Sequence, residues 1–425
     1  MTAQTLKLPE PLNLIGGEWA EATSGKKLDV VSPSDGKVFA SIAAGERRDI
    51  DRAVAAARHA FEEGEWGALS AVQRGRLLVK VSELIARNAE ELAQIESLDT
   101  GKPISQARAD MVAAARYFEF YGTAADKVHG EHIPFMSGYD AKVVREPHGV
   151  TGHIIPWNYP AQMVGRSLAP ALAMGNATVM KPAEEACLSV LKIARLAQEA
   201  GIPPGAINIV TGEGHVAGAA LSEHPGIDFI SFTGSPEVGV IIQTNAARNF
   251  IDCTLELGGK SPQIVFEDAD LDRVLPTLTG AIAQNGGQTC SAGSRVLVQR
   301  SIWDVLVQRL ADRFGGLTAA AAGQDRELGA LISARQRDRV EALIVDAGSP
   351  LIARGKIAPE APEGGFYVAP ALFGPCEPQS KLSQDEVFGP VLAAIPFDDE
   401  REAVRIANGT PFGLVAGVWT RDGDR

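Results

Sequence analysis

GVTGHIIPWNYPAQMVGRSLAPALAMGNATVMKP, residues 149–182, contains the alternation that decides the fold. Its first apolar run, Val150–Ile155, is short enough to be a buried strand. A helical stretch near Ala169 follows, and Ala177–Met180 is a second strand-like run. A strand, a helix and a second strand in this order predict a parallel sheet covered by helices. Such sheets bind ligands beyond the carboxyl ends of their strands.

The alternation continues as far as residue 257. Further strand-like runs are Ile207–Val210, Phe229–Phe232 and Cys253–Leu257, and further helical stretches are Leu188–Ala200, His215–Ser222 and Pro236–Ala247. We therefore predict an α/β fold with a doubly wound parallel sheet that carries helices on both faces. The first 125 residues are predicted to be mainly helical, because their apolar residues repeat at helical spacing.

A second α/β pattern begins after Gly258 and Gly259. Its predicted strands are Gln263–Phe266 and Val296–Gln299, and its predicted helices are Leu271–Ala283 and Ile302–Phe314. The alanine-rich residues 318–322 are interpreted as a helix end or a linker. The chain thus contains two α/β patterns in succession. At 425 residues it is also longer than one ordinary domain of about 50–200 residues.

Composition and charge exclude several classes of protein. The 53 acidic residues outnumber the 40 Lys and Arg, a balance that argues against nucleic-acid binding. The start of the chain, Met1–Leu12, does not have the pattern of a signal peptide, and we find no apolar run of about 18 residues, so no membrane partner is predicted. The four cysteines stand far apart without a CxxC pair, which predicts no metal site, reduced thiols and a cytoplasmic location.

Cys290 is the most specific candidate for chemistry. It lies in QNGGQTCSAGSR, residues 284–295, where glycines flank a thiol between a predicted helix and a predicted strand. Such a loop can expose the sulfur and direct backbone N–H groups at a developing oxyanion. The alternative is a buried structural cysteine, which is the reading that suits Cys187, Cys253 and Cys376.

Two further residues suit the same chemistry. Glu256, in TLELGGKSP, ends an apolar strand, where a carboxylate is costly unless it is paired; this position suggests a general base, or a glutamate bound by the following backbone amides. Asn158, in IPWNYP, follows a strand end and is flanked by prolines that fix the backbone. A rigid amide can serve as an oxyanion donor, although an Asx turn would explain it equally well.

Weaker signals point to a nucleotide. Gly234 and Gly239 in FTGSPEVG join a strand to a helix, whose N-terminus could bind a phosphate, but the motif is not a complete GxGxxG. Lys181 and Glu184 at a strand end could hold ribose hydroxyls or form a surface ion pair. Glu386, in EVFGP, could belong to a simple turn.

Together, these motifs give a specific resemblance. IPWNYP, KPAE, PGAINIVTG, FTGSPEVG, LELGGKSP, GGQTCSAGSR and EVFGPV occur in the order and approximate spacing of the aldehyde dehydrogenase superfamily, from about residue 13 to the last residue. The resemblance implies two doubly wound α/β domains, a Rossmann-like cofactor domain and a catalytic domain, with a small oligomerisation arm. It also implies oxidation of an aldehyde to a carboxylic acid.

The resemblance assigns roles to the three strongest candidates. Cys290 would attack the aldehyde, and the Asn158 side chain with the Cys290 backbone N–H would hold the oxyanion of the thiohemiacetal. After hydride transfer, Glu256 would activate the water that hydrolyses the thioester.

Cofactor residues also carry over by motif. Lys181 and Glu184 would hold the adenosine ribose, Ser235 the pyrophosphate, and Glu386 the nicotinamide ribose. The other cofactor-binding positions implied are Ile155, Trp157, Gly234, Gly239, Leu257 and Phe388. Because a carboxylate bonds a free 2′-hydroxyl and repels a 2′-phosphate, Glu184 favours NAD over NADP.

The domain boundaries follow from the same resemblance. Residues 1–128 and 149–257 would bind NAD, residues 129–148 would form the arm, and residues 258–425 would form the catalytic domain. A homodimer or homotetramer is expected. Members of the family run several dozen residues beyond the position of Arg425, so we expect the catalytic domain to be incomplete at its C-terminus.

The substrate is predicted from the segment after Asn158. Arg166 lies where relatives line the aldehyde tunnel, together with Tyr159 and Met163, and semialdehyde dehydrogenases carry arginine at this point. A substrate carboxylate could meet its guanidinium bidentately. The alternative is that Arg166 pairs with a carboxylate of the protein itself.

Two other functions stay open at this stage. One is a non-catalytic or inactive truncated member of the family. The other is a CoA-acylating relative, against which Glu256 argues because a base that hydrolyses the thioester would compete with CoA.

Overall fold

The computed structural model describes residues 6–425, which form two compact units. The first unit consists of three segments: the chain up to Val30, Val38–Asp99 and Ala107–Glu256. The second unit is mainly Leu257–Arg425, and the short stretches Val31–Lys37 and Thr100–Gln106 group with it. The segment Met1–Leu12, for which no signal peptide is predicted, lies partly outside the described residues.

A seven-stranded sheet organises the first unit, in the order β11-β10-β7-β8-β9-β1-β2. Its strands are β1 Asn13–Ile15, β2 Glu18–Ala20, β7 Val150–Ile155, β8 Ala177–Pro182, β9 Ile207–Ile209, β10 Phe229–Thr233 and β11 Asp252–Glu256. The five strands from β7 to β11 are parallel, as predicted, and β1 and β2 extend the sheet in antiparallel fashion. The central strand β7 is buried along nearly its whole length, which explains its continuous apolar sequence.

Helices surround this sheet and follow the apolar periodicity of the sequence. They are α1 Arg47–Glu62, α2 Glu65–Ala68, α3 Ala71–Arg87, α4 Ala89–Thr100, α5 Ile104–Ala124, α6 Pro160–Ala173, α7 Leu188–Ala200, α8 Ala219–Ser222 and α9 Pro236–Arg248. Gly101 has a left-handed φ of 78° between α4 and α5, where helix α4 ends. A π-helical turn, Gly214–Gly218, precedes α8.

A six-stranded sheet organises the second unit, in the order β15-β17-β18-β13-β12-β19. Its strands are β12 Pro262–Val265, β13 Arg295–Gln299, β15 Leu351–Arg354, β17 Ala371–Phe373, β18 Val391–Phe397 and β19 Gly417–Trp419. The helices are α10 Leu271–Ala283, α11 Trp303–Gly316, α12 Ala334–Val345, α13 Lys381–Gln384 and α14 Glu400–Ala407. Buried side chains of α10 and α11, including Leu278 and Leu310, pack with Val296 and Val298 of β13 in one core cluster.

Two predictions of secondary structure need correction. The first 125 residues are not helical from the start, because β1, β2, β3 Lys27–Val31 and β4 Val38–Ala43 precede α1. The alanine-rich residues 318–322 are not a helix end, because β14 Thr318–Ala319 pairs there with β16 Lys356–Ile357. β1 and β2 have three residues each, and β14 and β16 have two, which is too few for a hydrophobic period to appear.

The predicted arm, residues 129–148, contains an antiparallel hairpin of β5 Glu131–Ile133 and β6 Ala141–Val143. Ile133, Phe135 and Tyr139 on this hairpin expose much of their side chains. Within residues 6–425, no helix combines the length and the apolar character needed to cross a membrane.

Candidate active site

Four parallel strands of the first unit bring the predicted residues to one edge of its sheet. Strands β7, β8, β10 and β11 run in the same direction, so their carboxyl ends lie along a common edge. Asn158 follows β7, Lys181 lies near the end of β8, Ser235 follows β10, and Glu256 is the last residue of β11. This edge is therefore the candidate site within the first unit.

Asn158 lies in the short connection between β7 and α6. Its side chain is buried, with a relative exposure of 5%. Tyr159 precedes the first helical residue, Pro160, whose fixed φ suits that position. The strand before Asn158 and the proline after it therefore restrict the backbone on both sides, as predicted from IPWNYP.

His153 and Ser167 attach α6 to the middle of the sheet. Nδ1 of the buried His153 lies 2.6 Å from Oγ of Ser167, and Nε2 lies 2.8 Å from Oγ1 of Thr151. Burial lowers the pKa of His153 to about 3, so the imidazole is neutral near pH 7. This anchor fixes the helix at the residue next to Arg166.

Lys181 and Glu184 form a partly buried ion pair, in which Lys181 is the buried member. Lys181 Nζ lies 2.6 Å from Glu184 Oε2, and the backbone N–H of Gly214 donates to Glu184 Oε1 at 3.0 Å. Burial alone would raise the pKa of Glu184, but the charge and hydrogen bond of Lys181 outweigh it and hold the pKa below its usual value. Glu184 is thus ionised and fixed in place, as a side chain that binds ribose hydroxyls needs to be.

The turn after β10 connects the predicted phosphate site to the predicted base. A Cβ on Gly234 would come within 2.5 Å of the Phe232 ring, so the turn has no room for a side chain. The Gly234 N–H donates to the carbonyl of Glu256 at 3.0 Å. Ser235 caps helix α9 through a long bond of 3.4 Å from the Val238 N–H, with Pro236 as the first helical residue.

Arg166 pairs with Glu256. Its Nη2 lies 3.1 Å from Glu256 Oε2, so the predicted substrate ligand contacts the predicted general base. Both residues line a cavity of about 810 Å³ in the first unit, together with Met163. The alternative considered for Arg166, a pairing with a carboxylate of the protein, is therefore present in the structure.

Cys290 lies on a tightly turned loop of the second unit. Asn285, Gly286 and Gly287 before it have left-handed φ values of 50°, 61° and 74°. A Cβ on Gly287 would come within 2.1 Å of the Gly389 carbonyl oxygen, which excludes any side chain there. The glycines that precede Cys290 in the sequence therefore serve this turn between α10 and β13.

Gly258 and Gly259 accommodate two other predicted residues of the second unit. The Gly259 N–H donates to Glu386 Oε1 at 3.0 Å. A Cβ on Gly258 would come within 2.3 Å of Glu386 Oε2, and one on Gly259 within 2.5 Å of the Cys290 carbonyl oxygen. Gly258 and Gly259 thus lie where the loops of Cys290 and Glu386 come together within the second unit. Leu257 lies at the start of this connection.

Sequence reasoning did not find two residues that hold the Glu386 loop. Arg339 of α12 donates to the carbonyls of Glu386 and Val387, both at 2.7 Å, and Gln336 donates to the carbonyl of Phe388 at 2.8 Å. Phe388 has a φ of 53°, a strained conformation that these bonds help to hold. The only signal in the sequence is that Gln336 and Arg339 are three apart and so share a helix face.

Three further predicted cofactor residues lie in or next to elements of the first unit. Ile155 is the last residue of β7, Trp157 lies just beyond it, and Gly239 is buried in the first turns of α9. In residues 6–425 there is no group of three or more His, Cys, Asp or Glu side chains that could hold a metal ion.

Comparison with known proteins defines the class of this site. The model of the aldehyde dehydrogenase family matches residues 19–425. Betaine aldehyde dehydrogenase of Bacillus subtilis (strain 168) is 41% identical over 415 residues, which cover 96% of this chain and 84% of that protein.

Solved structures point to the same family. A protein of Burkholderia cenocepacia, provisionally described as an aldehyde dehydrogenase, is 60% identical with a TM-score of 0.96, covering 97% of this chain and 88% of the other. An NAD⁺ complex of an aldehyde dehydrogenase from Bacillus cereus is 39% identical with a TM-score of 0.95, covering 98% and 85%.

The fold and the site define an oxidoreductase of the nicotinamide-dependent class. The chain belongs to the aldehyde dehydrogenase family. It is accordingly an enzyme that oxidises aldehydes to carboxylic acids.

Proposed function

We propose that this enzyme uses NAD and works through a covalent intermediate on Cys290. The observation that carries the proposal is the loop of residues 285–287, whose three left-handed residues present Cys290 beside the glycines of LELGG. A left-handed residue other than glycine, here Asn285, in a loop that carries a nucleophilic residue type is characteristic of an active site. The alternatives of an inactive member and of a CoA-acylating enzyme have no comparable observation in their favour.

The residues at the edge of the first sheet fit a dinucleotide. The N-terminus of α9 offers backbone N–H groups and its positive dipole end to a pyrophosphate, and Gly234 permits the tight turn that precedes it. The ionised Glu184 can accept hydrogen bonds from ribose hydroxyls. Because its negative charge would repel a 2′-phosphate, we propose NAD rather than NADP.

In the proposed reaction, the Cys290 thiolate, whose proton has passed to solvent, bonds to the aldehyde carbon as the carbon–oxygen π bond breaks, and the carbonyl oxygen becomes an oxyanion. The Asn158 amide and the Cys290 N–H donate hydrogen bonds to this oxygen. NAD, when bound, supplies the acceptor for the hydride that leaves the same carbon. Glu256 then takes a proton from water, whose oxygen bonds to the acyl carbon as the carbon–sulfur bond breaks, releasing the acid.

The test is Cys290→Ala. This variant should bind NAD with an affinity close to that of the unmodified protein, since the thiol is not a cofactor ligand, and should form no NADH from any aldehyde. Fluorescence titration and NADH absorbance measure the two properties. Retention of a tenth of the original rate would refute covalent catalysis by Cys290.

We further propose that the substrate carries a terminal carboxylate. Support comes from Arg166, a half-exposed guanidinium in a cavity that Met163 also lines. Tyr159, which precedes α6, is proposed as a third substrate contact. A charged hydrogen bond contributes about 1.5–3 kcal/mol, or about 10–100-fold in kcat/KM.

The matched pair of 4-oxobutanoate and butanal tests this substrate class. The charged aldehyde should be preferred by at least tenfold, and Arg166→Leu should abolish the preference. Equal kcat/KM for both aldehydes in the unmodified enzyme would refute it.

We also propose a cytoplasmic homodimer or homotetramer, with the exposed apolar hairpin of residues 129–148 as the contact between subunits. Analytical ultracentrifugation tests the assembly.

A further inference from the structure

Arg166 and Glu256 belong to distant parts of the sequence and meet inside one cavity. Arg166 lies in the second turn of α6 and Glu256 at the end of β11, with 3.1 Å between Nη2 and Oε2. The relative exposures of the two side chains are 40% and 35%, so both are accessible from the cavity of about 810 Å³. A ligand that enters this cavity can therefore reach the pair.

The pairing has a consequence for Glu256 as a base. A general base must direct a carboxylate lone pair at the water whose proton it removes. While the guanidinium lies against Oε2, that oxygen is occupied and its negative charge is compensated. In this arrangement Glu256 is held away from its proposed task.

The pair is weak enough to open. Ion pairs of such exposure contribute about fivefold or less to an equilibrium, because water and salt screen them. Two other arginines among the cavity-lining residues have different partners: Arg74 donates to the carbonyls of Leu69 and Ala173, and Arg145 pairs with Glu131. A carboxylate that enters the cavity can therefore compete with Glu256 for Arg166.

We propose that Arg166 is a positioning residue. Its guanidinium holds the carboxylate of Glu256 until another carboxylate enters the cavity and takes that place on the guanidinium. The terminal carboxylate of the substrate would take the guanidinium, and Glu256 would be released to activate water. The ion pair would thus couple recognition of an anionic substrate to hydrolysis of the thioester. This inference rests on the proposed function, and it adds a second role for Arg166 beside substrate binding.

The experiment uses butanal, which lacks the carboxylate, with sodium acetate as a separate carboxylate. NADH absorbance reports formation of the acyl-enzyme, and quenched-flow mass spectrometry follows its disappearance from Cys290 in a single turnover. Acetate should accelerate acyl-enzyme decay by about threefold, while sodium chloride at equal ionic strength should not. The rate of NADH formation should not respond to acetate, since Glu256 is released for the hydrolytic step.

Variants separate positioning from a structural role. In Arg166→Leu, decay of the butanal acyl-enzyme should be fast without acetate and insensitive to it, whereas a merely structural role predicts slower decay. Arg166→Lys should keep part of the acetate response. The matched control is Arg47→Leu, which breaks another exposed ion pair of the first unit, that with Glu223, without touching Glu256 and should retain the full response.

The two possible failures are distinguishable. If NADH and acyl-enzyme form normally but acetate leaves the decay rate unchanged, the inference is overturned and the proposed function stands. If no acyl-enzyme forms on Cys290, the proposed function fails and the inference fails with it.

Discussion

The backbone N–H of Gly259 donates a 3.0 Å hydrogen bond to Oε1 of Glu386, residues 127 positions apart. This bond connects the loop after β11 to the loop before β18. The adjacent Gly258 leaves only enough room for the second carboxylate oxygen, 2.3 Å from where a Cβ would lie. A side chain at residue 258 must therefore move the carboxylate of Glu386.

Gly258→Ala is expected to weaken cofactor binding without unfolding the protein. The displaced group is the end of a flexible side chain, so the fold can adapt, but the proposed nicotinamide-ribose ligand loses its position. We expect the KM for NAD to rise by about tenfold, as for the loss of one charged hydrogen bond. Gly280→Ala is the control, because nothing lies within 4 Å of that Cβ in the exposed face of α10. Equal KM values in both variants would contradict the prediction.

Glu256→Gln should separate the two halves of the reaction. The amide cannot accept a proton, so thioester hydrolysis should slow by about 10²–10⁴-fold, while the first turnover still yields NADH. Stopped-flow absorbance should show a burst followed by a slow steady phase. If steady turnover keeps its original rate, another group must activate the water.

Glu184→Ser should shift cofactor choice toward NADP. Removal of the carboxylate eliminates repulsion of a 2′-phosphate and also one ribose acceptor, so the NADP/NAD ratio of kcat/KM should rise by about tenfold or more. Buried Lys181 also loses its partner, which should lower the melting temperature. The exposed Glu213, next to Gly214, supplies the control Glu213→Ser, which removes a nearby charge without contacting Lys181. An unchanged ratio would place cofactor selection elsewhere.

His153 should make the protein less stable in mild acid. Its pKa is about 3 in the folded chain and 6.5 when unperturbed, so below pH 6.5 the unfolded chain binds a proton that the folded chain does not. Its contribution to stability is present above pH 6.5 and falls by about 1.4 kcal/mol for each pH unit below it, down to about pH 3. His153→Gln removes this dependence.

Urea unfolding of both proteins between pH 5 and pH 8 measures the effect. The difference between their unfolding free energies should shrink from pH 6.5 to pH 5, and it should be constant above pH 7. Parallel pH profiles would show that His153 is not buried as a neutral ring.

Elements with long, regular patterns could be predicted from the sequence. Strand β7 and helices α7 and α10 have the predicted bounds, because each has a full apolar run or several helical turns. The three-residue strands β1 and β2 could not be predicted, since three residues show no period. Their place at the sheet edge depends on pairing with β9, far along the chain.

Of the candidate site, only the residues that stand in motifs could be proposed from the sequence. Cys290, Glu256 and Asn158 stand in recognisable phrases, whereas the contact between Arg166 and Glu256 spans 90 residues and arises from the packing of α6 against the sheet. The role of Arg339 likewise could not be predicted, because it donates to backbone carbonyls 47 and 48 residues away and its spacing from Gln336 shows only a shared helix face. Tertiary contacts of this kind leave no local pattern.

Strand β11 is the outer strand of its sheet, and in that sheet its ladder partner is β10. The position of Glu256 therefore depends on β10, a strand that takes no part in the chemistry. Thr233 lies opposite Glu256 in the ladder, and the Gly234 N–H adds one further hydrogen bond, to the Glu256 carbonyl. A substitution at Ile230 that shifts β10 by a fraction of an ångström would displace the base and the phosphate turn together. Such a substitution, although far from any reacting atom, would then lower cofactor affinity and the rate of thioester hydrolysis at the same time.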